Sequence, residues 1–147
     1  MTNQTLEFIT LLTSGITAGS ALYISLVVHP SWSKTSIKSA VENFKPIFNG
    51  SFASQALFSS IAILGGIILG VLTKQYFWFI GSALMVINIP LTKMVLMPIN
   101  NILLGKKGEC TDDKAQELFI KWGNLQWIRT TVVLIPFILF LWLSVFR

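Results

Sequence analysis

The 147 residues are 53% hydrophobic and only 12% charged, with a mean hydropathy of +0.70. A soluble domain carries about 25% charged residues, so in water this chain would expose a very large apolar surface, and it reads instead as a membrane protein of one domain, 1–147. Its charge of +5, from 11 basic and 6 acidic residues, sits in short connecting segments, which fits orientation in a lipid bilayer and excludes a nucleic-acid-binding face.

A bilayer-crossing helix needs about 20 mostly apolar residues, and four stretches supply them at about 5–28, 51–72, 76–97 and 126–146. The expected fold is all-α, an integral membrane four-helix transmembrane bundle. The first stretch lacks the basic start of a signal peptide and is too long for one, so it reads as a retained helix.

Between the first two spans, Ile37, Val41, Phe44 and Phe48 recur at helical spacing while Lys34, Lys38, Glu42 and Lys45 take the other faces. This predicts a short amphipathic interfacial helix in the first loop. The third connection is polar from Gly105 to Asp113, and a helical pattern resumes at Lys114 and leads into the fourth span. Seven lysines lie in the first and third connections, against Lys74 and Arg147 on the other side. The positive-inside rule therefore puts the loops 29–50 and 98–125 in the cytoplasm and both termini opposite. Cys110 would be a free thiol in a reducing compartment. Two small-xxx-small pairs, Gly15 with Gly19 and Gly66 with Gly70, mark close helix packing or contacts in a homo-oligomer or larger membrane complex.

A lone cysteine and a lone histidine leave no disulfide and no His-rich metal or haem site, and the spans offer no pair of carboxylates for a bridged metal centre. No metal and no cofactor is expected. Polar groups inside spans are costly unless paired or hydrated, and so mark functional candidates. Following the chain direction, His29, Lys93, Asn100, Gln126 and Arg129 all fall at one end of the bundle. At 100° per residue, Gly15, Ala18, Leu22, Ser25 and His29 share a stripe, which points His29 inward. Trp122, Gln126, Arg129 and Val133 share another. In span three Pro90 frees a carbonyl one turn earlier, and Asn88 and Thr92 lie where they meet the freed groups or a ligand. Each residue also has a plainer role: Lys93 snorkels to headgroups, Arg129 pairs with lipid phosphate, His29 meets the last carbonyls of its helix, and Asn88 caps the proline break.

His29-Pro30 closing the first span, Asn88-Ile89-Pro90-Leu91-Thr92 followed by Met97-Pro98-Ile99-Asn100, and then Trp122 with Arg129-Thr130 together resemble the anthrone oxygenase-like membrane proteins over nearly the whole chain. In the Trp-to-Arg stretch, where that family pattern leads one to expect a histidine, this chain has Gln126. The resemblance implies a cofactor-independent monooxygenase, an oxidoreductase that uses O₂ to turn an anthrone or related aromatic polyketide into its quinone. It implies His29 as base, Lys93 or Arg129 holding the enolate oxygen (or Lys93 as the base instead), and Asn88, Thr92, Asn100, Trp122 and Gln126 binding an apolar aromatic small molecule. Two alternatives stand beside it: a non-catalytic small membrane subunit or assembly protein, and a carrier of an apolar quinone-like ligand.

Overall fold

In the computed structural model, which describes residues 3–108 and 110–146, four helices are long and apolar enough to cross a membrane. They are α1 (Asn3–Trp32), α2 (Ile37–Thr73), α3 (Tyr76–Leu103) and α4 (Asp112–Val145). Arg147, counted above in the charge balance, lies outside the described residues. Each helix packs on its chain neighbour, and α4 closes the ring against α1. The chain is a multi-pass integral membrane bundle whose outer faces present side chains such as Phe8, Leu57, Ile87 and Ile138 to lipid.

Local chemistry sets the ends. The Ser36 hydroxyl accepts from the Ser39 amide at 3.3 Å to cap α2, and Asp112 and Asp113 occupy the first turn of α4, where the helix dipole favours negative charge. Lys74 ends α2 in the left-handed region (φ 54°), which lets Gln75 start the reversal into α3.

The amphipathic stretch of the first loop is helical, but it is not a separate short helix. It forms the first turns of α2, which runs on through Pro46 into the span. At 37 residues α2 is about 55 Å long, well beyond a hydrocarbon thickness of about 30 Å. Tertiary packing holds the extension in place: Ala40 and Phe44 are buried against Trp32, Phe119 and Trp122. The apolar face of this stretch therefore meets the bundle rather than a lipid surface. Among the described residues, 33–36, 104–108 and 110–111 are the non-helical connections at this end.

Two segments are wound as π-helix, Ile24–Val28 just before Pro30 and Leu91–Leu96 between Pro90 and Pro98. A proline ring clashes with the carbonyl four residues back, and a wider turn relieves the clash. Each such turn holds about one surplus residue.

Two apolar clusters fill the interior. One, around Trp32, Phe44, Leu96, Phe119 and Trp122, lies at the end where α1 meets α2. The other, around Leu6, Ala62, Leu69, Trp78, Met85 and Phe140, lies at the opposite end. Between them every helix contributes polar side chains: Ser25, Gln55, Asn88, and Gln126 with Arg129 and Thr130.

Small residues let the helices approach. A Cβ on Gly65 would strike the Thr10 hydroxyl, one on Gly66 would strike Ser82 and Phe140, and one on Gly70 would strike the Phe79 ring. A Cβ on Gly15 would meet the Phe137 ring at 3.1 Å, whereas one on Gly19 would meet nothing within 4 Å, so the α1 pair is close-packed at one member only. The buried face of α1 carries Thr10, Thr13, Ser14 and Thr17, each donating its hydroxyl proton to a carbonyl three or four residues earlier, which removes the penalty of burying them.

Candidate functional site

The polar layer is organised by Arg129. Its Nε donates to Asn88 Oδ1 at 3.3 Å, and its Nη2 donates to Gln55 Oε1. Both acceptors are neutral amides, and among the described residues no carboxylate pairs with the guanidinium. A guanidinium has five N–H donors. The two bonds to α2 and α3 therefore hold its plane in place and leave its charge and further donors uncommitted.

An inner hollow opens on one side of Arg129. Its apolar wall comes from Trp32, Phe44, Phe48, Phe52, Leu96 and Trp122, and its polar groups include Gln55, Thr92, Asn100, Gln126 and Arg129. The aromatic wall is continuous. Trp32, Phe44, Phe119 and Trp122 approach with ring centroids 5.3–5.7 Å apart, and Phe44, Phe48 and Phe52 stack along α2 at 5.7 and 5.5 Å. Those separations are the ones at which aromatic pairs attract. The four-residue spacing of the three phenylalanines puts them on one helix face.

Two of the polar groups there are unsatisfied. Gln126 is 1% exposed, and its Nε2 has no partner; nor has the Thr92 hydroxyl. A buried polar group left in that state costs about 1–3 kcal/mol, so the site is complete only when something else supplies the bonds. Asn100, in contrast, is satisfied: its Oδ1 accepts from Trp122 Nε1 at 2.8 Å, which fixes the indole in the wall. The hollow holds about 40 Å³. That is room for roughly three waters, and far below the ~300 Å³ of a typical small-molecule pocket. On the other side of Arg129 lies a wider recess of about 200 Å³, lined by Asn88 and Lys93 and sharing Phe52, Gln55 and Thr92 with the inner hollow.

His29 does not join this arrangement. Its Nε2 lies 3.0 Å from the Phe119 carbonyl, which can only accept, so Nε2 carries a proton. The imidazole fills the gap left by the missing side chain of Gly123 and sits 5.8 Å from the Trp122 ring. It faces a separate hollow of about 370 Å³ with Trp32, Thr35, Ile37, Phe119 and Ile120. The helical stripe that points His29 inward holds: Gly15 lies beside Phe137, Ser25 pairs with Thr130 and His29 packs on Gly123, all on α4. Of the three residues to which the resemblance gives chemistry, Arg129 and Lys93 share a recess and His29 lies beyond Trp122.

Several participants were not assigned to the site from sequence. Gln55 is the one amide between 51 and 72, and that isolation was the available signal. Phe44, Phe48 and Phe52 turn toward the hollow only because α2 is unbroken. Ser25 and Thr130 tie α1 to α4: their hydroxyls lie 2.8 Å apart, and Thr130 Oγ1 donates to the Ala21 carbonyl at 3.1 Å.

A family model described as anthrone oxygenase matches residues 44–139. The matched stretch contains Gln55, Asn88, Lys93, Gln126 and Arg129, and stops short of His29. No curated protein and no solved structure matches the chain.

Proposed function

The chain belongs to the anthrone oxygenase family, and we propose that it is a membrane oxygenase acting without a cofactor on an apolar aromatic ketone with an acidic benzylic C–H. The observation that carries this reading is Arg129: a cation held by Asn88 and Gln55, with no carboxylate among the described residues to neutralise it, between an aromatic hollow and a recess. Such a group lowers the energy of an oxyanion as it forms, in a setting where little water screens it.

The chemistry needs little more. Removing a proton from the CH₂ of an anthrone gives an enolate, whose oxygen is held by Arg129. The electron-rich carbon reduces and combines with O₂, and the resulting hydroperoxide loses water to leave a second carbonyl, so that anthrone and O₂ give anthraquinone and H₂O. Lys93 lines the recess that Arg129 lines, and we assign it the role of a second cation beside the enolate oxygen, which makes the benzylic C–H acidic enough to lose its proton to water; His29 faces a different hollow. Asn88 and Gln55 position the guanidinium. The Thr92 hydroxyl supplies a bond to the bound molecule and Phe52 stacks on its rings, both from the wall of the recess.

We further infer that the loops 29–50 and 98–125 face the cytoplasm, because they hold seven lysines against one, Lys74, among the described residues of the other end. The purified protein in lipid vesicles, given emodin anthrone and O₂, tests the activity. Quinone formation above the buffer rate, lost in Arg129→Gln and Lys93→Ala but kept in His29→Ala, is the expected result. A rate equal to buffer overturns the oxygenase reading, and saturable binding without O₂ uptake would make the protein a carrier.

A further inference from the structure

The recess of about 200 Å³ lies between α2 and α3, with Arg129 of α4 reaching into it. Phe52, Ala56, Ser60 and Ile89 line it and are exposed on the outer surface of the bundle, so in a membrane it opens sideways to lipid. Its charged residues are Arg129 and Lys93, both cationic, and no carboxylate lines it. Ser59 also lines it, is 8% exposed, and has an unpartnered hydroxyl, as has Thr92.

These features together select an occupant. A neutral hydrocarbon would leave two hydroxyls and the remaining guanidinium donors without acceptors. A small hydrophilic anion would gain nothing from Phe52 and Ile89 and would not come from the lipid side. We propose that the α2–α3 recess is a lateral entrance through which an apolar molecule carrying one anionic oxygen group passes from the bilayer to Arg129. Lys93 at the rim draws the anionic group in, and Ser59 and Thr92 donate to it along the way. The recess meets the inner hollow at Phe52, Gln55, Thr92 and Arg129, so an arriving ligand reaches Arg129 and the Phe52 edge of the aromatic wall without crossing the Trp32–Phe44 end of the bundle. This inference rests on the reading of Arg129 as an oxyanion partner, and not on the oxygen chemistry.

The test reads access directly. In a Cys110→Ser background, which removes the natural free thiol, Ala56→Cys places a thiol in the recess. The protein is reconstituted in phosphatidylcholine vesicles and labelled with the lipid-soluble N-(1-pyrenyl)maleimide. Anthraquinone-2-carboxylate is expected to slow labelling about tenfold, whereas neutral anthraquinone leaves the rate unchanged. Arg129→Gln abolishes the protection, and Lys93→Gln weakens it, a measurement that stands even if the Arg129 variant does not fold. Equal protection by both compounds, no protection by the carboxylate, or full protection in Lys93→Gln overturns the proposal. Oxygen uptake separates it from the oxygenase reading. Protection without turnover of emodin anthrone keeps the entrance and rejects the chemistry, while turnover without protection at residue 56 rejects the entrance and keeps the chemistry.

Discussion

Arg129 of α4 donates through Nε to the side-chain oxygen of Asn88 on α3, 3.3 Å away, and the same guanidinium reaches Gln55 on α2 through Nη2. A cation inside a membrane bundle is usually matched by an acid, which stabilises it and cancels its field. Here two amides do the positioning and leave the charge intact. Positioning and neutralisation are thus separable at this site, and substitutions can take them apart.

Asn88→Asp keeps the shape and adds a carboxylate beside Arg129. The variant is expected to fold at least as well as the parent while losing affinity for anthraquinone-2-carboxylate by about tenfold or more, since the anion then meets a neutralised partner. Thermal unfolding in detergent and equilibrium binding check the two halves. Unchanged affinity would show that the charge of Arg129 plays no part.

Asn88→Leu and Gln55→Leu each strip one acceptor from the guanidinium. A hydrogen bond to a charged group contributes about 1.5–3 kcal/mol, so each is expected to lower stability by that order, read as a lower unfolding midpoint.

Gly123→Ala forces the imidazole of His29 out of its place against α4, because the new methyl would overlap the ring. Overpacking of this kind costs about 1–3 kcal/mol. Adding His29→Ala should restore much of that loss, since the clash is between these two groups. Gly66→Ala offers no such relief: its methyl meets Phe140 Cζ at 2.9 Å as well as Ser82, in the interior of the bundle. Unfolding midpoints of the single and double variants test both.

Trp122→Phe removes the donor that satisfies Asn100, which is 2% exposed. Stability is expected to fall by about 1–3 kcal/mol for the stranded oxygen, and the Trp122→Phe/Asn100→Leu pair should lose less than the two single changes combined. Additive losses would mean that the bond contributes nothing.

Much of this was legible from residue types. Four apolar runs fixed the bundle, and Asn88, Gln126 and Arg129 stood out as polar groups in lipid-soluble surroundings. That signal survives because burying such groups without partners is costly whatever the helix phase. Phase was the weaker guide to the site. Counting 100° steps put His29 on the side of α1 that meets α4, but does not say which hollow the imidazole faces. Phe44 and Phe48 were assigned to a lipid surface because an amphipathic face does not say whether membrane or protein covers it. Gln55 carries no charge and no motif, and its part emerges only from the three-helix meeting with Arg129.

The wide turn at Ile24–Val28 makes the aim of everything after it a matter of residue number rather than residue identity. Deleting one amino acid there would let the backbone wind regularly and swing His29 by about 100°, away from Gly123, without altering any side chain. Two chains of this kind could carry the same motifs in the same order and still present the imidazole to different chambers, distinguished by a gap of one in their alignment.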